Sequence, residues 1–485
     1  MIIKQFLDVL SEVGEFEMEK LKYYFQHKSS LNERLFFTSD SRKVNKNSVF
    51  IAIKGEKVNG HDFVNQSLKN GAFLAIIEDA GDYKGLCLKV DNVVDFINTL
   101  ASYLYKQYSG FSIAITGSNG KTTTKEWVKN ILSHFLNHDS IFTNKGNMNT
   151  DIGLPICILN DLSTKKRLSV LEMGMAKKGD IEYLVDYYKP NFPVILNIGT
   201  AHIGNTGSLE NTFFEKSKIL KYQLNSEPFC LNQSDPLLRN YLKTNPLKHP
   251  VLFGFAKDKI TDFSGVYLEK YKYKIDKKQF LTDIKITIIH HGKETIVNET
   301  LKGIYHQGQL LNLCASLAIV VSLDYEIGSI PNLSTFLSQV NNRFVPEFVG
   351  RHLYLKDCYN SSLESLNYAL EILKEFKRAQ LFSKSYCVLG SIAETGEYNS
   401  DIHEKIGKLL NKTLVDTVFL YVKDPSIIGI NKHFKGQILT FNNIGGLSKE
   451  INKRKKTDKK SVFLFKASRS IQLEEVFDHV MDVIN

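Results

Sequence analysis

Residues 112–125 read SIAITGSNGKTTTK, and the rest of the chain is best understood outward from them. An apolar run, Ile113-Ala114-Ile115, leads into Gly117, Ser118, Asn119, Gly120, Lys121, Thr122 and Thr123. Helical periodicity follows through Trp127, Val128, Ile131 and Leu132. A strand, a glycine loop and a helix start, in that order, make a phosphate site. The glycines let consecutive N–H groups turn inward, and the helix start adds partial positive charge. The lysine reaches the outer phosphates, and the hydroxyl after it binds Mg²⁺. Ile115 stands where the longer pattern has its first glycine, so this is the shorter TGxxGKT form. The competing reading is a surface turn that happens to contain Gly-Lys-Thr.

Downstream, Thr143–Gly153 is rich in asparagine and glycine. It reads as a turn, though the amides of Asn147 and Asn149 can also bond a polar ligand. Leu168–Met173 is an apolar strand with Glu172 near its end, suited to Mg²⁺ or to a plain surface role. Val194–Ile198 is another such strand, followed by Gly199-Thr200-Ala201-His202. In a parallel sheet the ligand crevice lies at the carboxyl ends of strands, where Lys121, Glu172 and His202 all fall. For His202, a metal role and a structural role both stay open. Val266–Ile275 and Phe280–Ile289 alternate in polarity and are expected to form an accessory antiparallel sheet, with a helix over Gly308–Val321 after it.

Three domains are expected: 1–109, 110–343 and 344–485. The first alternates short strands and helices. Its Ser41 and Arg42 hold a phosphate or ribose, or simply form a solvated turn. The third is again alternating α/β without a phosphate loop, placed to close over the central site.

With 485 residues the chain is too long for one core, and 43% hydrophobic and 24% charged residues are ordinary for a soluble globular protein. Six scattered cysteines without a CxxC pair, and no secretory leader or membrane-length apolar run, point to a cytoplasmic protein with reduced thiols. The net charge of +10 suits nucleic acid or an enzyme whose ligands are all anionic. The run Lys453-Arg454-Lys455-Lys456 lacks interleaved aromatics and reads as solvated.

The loop, the strand-end glutamate and the strand-end histidine together resemble the Mur ligase family. So do Asp40-Ser41-Arg42, Gly60-His61-Asp62-Phe63, Asn147–Gly153, Ala201-His202 through Glu215-Lys216, Gly350-Arg351, Asp357–Asn360, Leu389–Glu397 and Lys466–Ser470. The resemblance covers nearly the whole chain, in order. It implies a three-domain architecture: a uridine-nucleotide domain, a central P-loop parallel-sheet domain with its accessory antiparallel sheet, and a C-terminal Rossmann-like domain. The flanking motifs narrow it to the branch that adds D-alanyl-D-alanine to UDP-N-acetylmuramoyl-tripeptide, with ATP and two Mg²⁺, through an acyl phosphate. It implies a monomer that needs neither nucleic acid nor membrane.

The resemblance also implies residue roles. Thr122, Glu172, His202 and a carbamoylated Lys216 serve the metals, and Lys121 the transferring phosphoryl group. Asn312, Arg351 and Asp357 face the nucleotide. Ser41, Arg42, Asn147, Asn149, Tyr359, Asn360, Lys466, Ser468 and Arg469 face the other substrates. Several positions depart from the family pattern. Thr150 replaces an asparagine, Gly308-Gln309 the histidine–asparagine pair, Leu363 a proline, Ser391 an aspartate and Ala467 a glycine. The rival in a different class is a nucleotide-binding switch or nucleic-acid-dependent ATPase. It uses the positive charge but leaves the first-domain motifs and the His202–Lys216 stretch without a role.

Overall fold

A computed structural model describes residues 1–13, 32–55, 57–223, 227–245, 249–260, 263–276, 279–337 and 343–484. The chain falls into two compact units. One holds residues 1–115, 136–175 and 179–193; the other holds 116–135, 176–178 and 194–485.

In the first unit, β1 (Phe36–Thr38), β2 (Ser48–Ile51), β3 (Leu74–Ile77) and β4 (Cys87–Lys89) form a parallel sheet in sequence order. All four residues of β2 and of β3 are buried, as continuous apolar strands covered on both faces should be. A second parallel set places β7 (Leu168–Glu172) between β5 (Phe111–Thr116) and β6 (Ile141–Thr143). Buried Asn98 on the helix Val93–Gln107 ties this unit together. Its amide donates to Asp151 O at 2.6 Å, and it accepts from the Tyr188 hydroxyl at 2.8 Å.

In the second unit, the last residues of β8 (Phe192–Ile195) pair with β9 (Phe229–Asn232). The sheet then runs in parallel to β10 (Pro250–Phe255) and β11 (Gly265–Asp276). From β11 it turns antiparallel through β12 (Gln279–His290) and β13 (Lys293–Lys302). The expected antiparallel strands are therefore present, and they extend the parallel sheet through β10 instead of standing apart from it. The helix Gln307–Ser322 is buried from Leu310 to Val321, which explains its apolar character on every side.

The same unit contains a second sheet. β14 (Val345–Val349) runs antiparallel to β15 (His352–Asp357). Next come β19 (Ser461–Lys466), β16 (Lys384–Leu389), β17 (Thr417–Tyr421) and β18 (Gln437–Phe441), all parallel. Apolar residues fill both faces: Leu370, Leu373 and Phe376 on one, Leu447, Val476 and Phe477 on the other. This is a doubly wound sheet. Its register sets Asp357 opposite Lys466, and Lys466 opposite Leu389, so three carboxyl ends are level where the strand order reverses. Ligands bind at such a switch point. Among the described residues no helix is long and apolar enough to cross a membrane.

Phe280 at the start of β12 stacks on Phe348 of β14 (centroids 5.1 Å apart) and on Phe376 (5.4 Å). The stack fastens the long antiparallel strands to the second sheet. Phe280→Ala should therefore destabilise this unit by ~3–5 kcal/mol, seen as a lower urea midpoint. An unchanged midpoint would show that the stack contributes nothing.

Candidate active site

The phosphate loop is held by the segment that follows β8. Ser118 donates its N–H to Asn197 O at 3.0 Å, and its hydroxyl accepts from Gly199 N at 2.8 Å. Asn119 and Asn197 exchange two bonds: Asn119 N–H to Asn197 Oδ1 at 2.8 Å, and Asn197 Nδ2 to Asn119 O at 2.9 Å. Gly120 is left-handed (φ +86°), and a Cβ there would lie 2.3 Å from Asn312 Oδ1, so only glycine fits. The helix Lys121–Leu132 starts directly after it. Lys121 Nζ folds back onto Gly117 O at 2.7 Å, and Thr122 and Thr123 are buried beside it.

A cleft opens from this loop. Asn119, Gly120, Asn312, Asp357, Asn360 and Lys466 line it, and the level strand ends of the second sheet supply the last three. Lys466 is buried. It bonds Asp357 Oδ2 at 2.6 Å and Asn360 O at 3.2 Å.

Arg343, unremarked in the sequence, is the other cation of the cleft. It donates to Thr122 Oγ1 at 3.1 Å and lies 4.1 Å over the Tyr359 ring. The expected arginine, Arg351, does not line the cleft. It sits at the β14–β15 turn, its Nε 3.4 Å from His352 Nε2. A strand rises ~3.3 Å per residue, so the turn and Asp357 lie at opposite ends of β15. The Gly-Arg pattern alone could not tell one end from the other.

The cleft's histidine is also displaced from its expected place. Gly308 stands at the family's histidine position, but His306 is the ring in the cleft. It caps the helix Gln307–Ser322 by accepting from Gln309 N at 3.2 Å, and it stacks on Tyr368. Burial, and then the Lys466 charge, push its pKa down to about 3. It therefore presents a flat neutral ring. Ser468 accepts from Ala393 N at 2.9 Å, which makes it a support of the cleft. Arg469 pairs with Glu474 at 2.7 Å and reaches the Tyr359 ring only at 6.0 Å.

Two further groups stand out in this unit. His202 Nδ1 lies 2.5 Å from Glu394 Oε2. Both residues are left-handed (φ 61° each), an arrangement that costs strain and clusters at functional sites. A Cβ on Gly204 would strike Gly396 N at 2.5 Å, so the two segments can pack this closely only through glycine. Lys216, on the helix Leu209–Ser217, is completely buried, and its Nζ has no hydrogen-bond partner among the described residues. Burial, and then the charge of Lys121, hold its pKa well below the ordinary lysine value.

In the first unit, Glu172 is gripped by asparagines. Its N–H donates to Asn144 Oδ1 at 2.8 Å, its carbonyl accepts from Asn144 Nδ2 at 3.0 Å, and Oε1 accepts from Asn149 Nδ2 at 2.6 Å. Asn149, expected to face substrate, uses its amide on Glu172. Asn147 shapes the turn by accepting Asn149 N–H at 2.9 Å on its carbonyl. Ser41 and Arg42 lie on a one-turn 3₁₀ helix. Asp40 grips the exposed Arg42 guanidinium through two bonds, at 2.8 and 3.0 Å.

A phosphate loop over a cationic cleft, with a buried lysine in the same unit whose pKa burial holds well down, defines a nucleotide-dependent enzyme. Residues 115–320 match the Mur ligase middle domain, and residues 35–102 match the Mur ligase family, catalytic domain. The UDP-N-acetylmuramoyl-tripeptide–D-alanyl-D-alanine ligase of Haemophilus influenzae is 27% identical over 460 residues, 92% of this chain and 93% of its own. The enzyme of that name from Escherichia coli is 25% identical over 453 residues, 90% and 92% of the two chains. The crystal structure of the MurF ligase from Thermotoga maritima in complex with ADP matches with a TM-score of 0.79 at 30% identity, covering 93% of this chain and 98% of that one. The chain belongs to the Mur ligase family.

His306 yields a pH prediction. Its folded pKa of about 3 lies below the ordinary 6.5, so its contribution to stability is complete above pH 6.5 and is lost as pH falls toward 3. The loss is up to ~1.4 kcal/mol per pH unit. His306→Asn keeps an N-cap acceptor and removes the titration. The variant's urea midpoint should therefore fall less than wild type's across that window, and parallel curves would exclude a neutral His306 in the cleft.

Proposed function

We propose that this chain is an ATP-dependent ligase that joins D-alanyl-D-alanine to UDP-N-acetylmuramoyl-tripeptide in peptidoglycan precursor synthesis. The carrying observation is the match, over nine-tenths of both chains, to ligases of that name. In this reaction the tripeptide carboxylate attacks the γ-phosphorus of ATP, ADP departs, and an acyl phosphate remains. The dipeptide amine then attacks the acyl carbon, phosphate departs, and the nitrogen loses its proton. An ATP reaction on a nucleotide-linked precursor suits a cytoplasmic enzyme.

Two anions must meet in the first step, so cations that reduce their repulsion are the main requirement. Lys121 and the N–H groups of residues 117–123 take the phosphates. Arg343 stands over Thr122 and Tyr359, while Lys466 is oriented by Asp357. The neutral His306 ring and Tyr368 offer the nucleotide base flat surfaces, with Asn312 at the loop edge. Tyr359, Asn360, Ser468 and Arg469 serve the incoming dipeptide side. Ser41 and Arg42 bind the uridine nucleotide, and Asn147 and Asn149 position the loop by Glu172.

Mg²⁺ supplies charge neutralisation on the phosphates. Thr122, Glu172, His202 and a carbamoylated Lys216 are its proposed protein ligands. Two observations support the fit. Glu394 on Nδ1 of His202 leaves Nε2 as the ligating nitrogen, the pattern of a carboxylate-oriented metal histidine. The Lys216 amine is buried, has no hydrogen-bond partner among the described residues and is shifted toward neutrality. A neutral amine attacks CO₂, forming an N–C bond and releasing a proton, and the product is an oxygen ligand of the kind Mg²⁺ prefers.

Phosphate release from ATP should require both the UDP-tripeptide and D-alanyl-D-alanine; release independent of them would reject the ligase reading. Lys121→Ala should cut turnover by about 10²–10³ in a folded protein. Lys216→Ala should lose most activity and regain part of it with a short carboxylic acid in solution; full activity in that variant would remove the carbamate. Arg42→Ala should weaken the UDP-linked substrate in isothermal titration while leaving the ATP dependence of turnover unchanged. Equal affinity for that substrate would release Arg42 from its role.

A further inference from the structure

We propose that His290, His291 and Asp324 form a binding site for a divalent transition-metal ion, for which zinc is the best-fitting ion. The two histidines end β12 and enter its turn into β13, and Asp324 lies just beyond the helix Gln307–Ser322. Both Nε2 atoms converge on one carboxylate oxygen, at 2.9 Å from His290 and 3.1 Å from His291. One ligand atom from each residue lies within 4.8 Å of the others. Zinc holds nitrogen and oxygen at about 2.0–2.2 Å in a tetrahedron, so neighbouring ligand atoms stand ~3.3 Å apart. Opening the present contacts by a few tenths of an ångström would admit the ion.

The donor set selects the ion. Two imidazoles and one carboxylate suit zinc, nickel or copper, whereas magnesium and calcium require oxygen. The C-terminal end of a helix also favours a cation. His290 Nδ1 has no hydrogen-bond partner among the described residues, so the site lacks an outer-shell contact typically worth ~10–100-fold in affinity. Binding should therefore be reversible. The other end of the same helix lines the nucleotide cleft, about 20 Å away at ~1.5 Å per residue. An ion here would clamp the β12–β13 turn to that helix, remote from the reaction.

The test uses the tag-free full chain, stripped with EDTA and dialysed against zinc at tens of micromolar, with bound metal counted by mass spectrometry. Wild type should hold one zinc that excess magnesium does not displace, and should melt at a higher temperature with zinc than in EDTA. His291→Asn and Asp324→Asn suit left-handed positions, since both wild-type residues have positive φ. In EDTA each should melt as wild type does, and each should lose the bound zinc and the shift. His202→Ala should retain both. Absence of stoichiometric zinc in wild type, or its retention in both asparagine variants, would overturn the proposal and leave a plain ion pair.

Discussion

A phosphate loop works only if its backbone amides are rigid before the anion arrives. Here that rigidity comes from residues 196–200, just after β8. Asn197 exchanges bonds with Asn119, and Gly199 bonds the Ser118 hydroxyl. The segment is in turn fixed by two carboxylates far away in sequence. Asp235 accepts Ile198 N–H at 2.8 Å, and Glu364 accepts Thr200 N–H and hydroxyl, both at 3.0 Å. Every backbone donor in such a buried turn needs a partner. Side chains supply these partners, because no regular ladder continues there.

Charge placement follows the same logic. Lys466 and Lys216, both enclosed in this unit, are treated differently. Lys466 has Asp357 and a carbonyl, so its ammonium is compensated. Lys216 has no hydrogen-bond partner among the described residues and feels Lys121, so burial favours its neutral amine. An isolated buried ammonium costs several kcal/mol. Neutralisation, or conversion to an anion beside positive charge, removes that cost. The paired left-handed residues His202 and Glu394 make a comparable point, since the backbone strain accompanies the close approach of His202 Nδ1 to Glu394 Oε2 and of Gly204 to Gly396.

Much of this was legible in the sequence because it is local. The strand, glycine loop and helix around Lys121 are adjacent in the chain, and chain order alone makes them a phosphate site. Continuous apolar runs such as β2 and β16 signalled buried parallel strands, and alternation along β12 signalled an antiparallel one. Glu172 could be placed at a strand end by counting, whereas His202 lies seven residues past the end of β8, at the start of the helix Ile203–Thr206.

What only the tertiary structure decided is which distant groups meet, because packing and register set that, not spacing. The Gly350-Arg351 pattern pointed to Arg351, and nothing in the sequence singled out Arg343. The hairpin at Gly350 carries Arg351 to the far end of β15 and leaves Arg343 over Thr122 and Tyr359. His306 takes the cleft position because it caps the helix, two residues before the position where the family pattern has a histidine. Asn149 turns to Glu172, and Asp324 meets two histidines more than thirty residues earlier. Sequence determined the chemistry that the chain carries and the order in which it comes. The fold decided its partners, because a side chain's neighbours depend on strand register and helix packing, which bring together residues that nothing in the linear order connects.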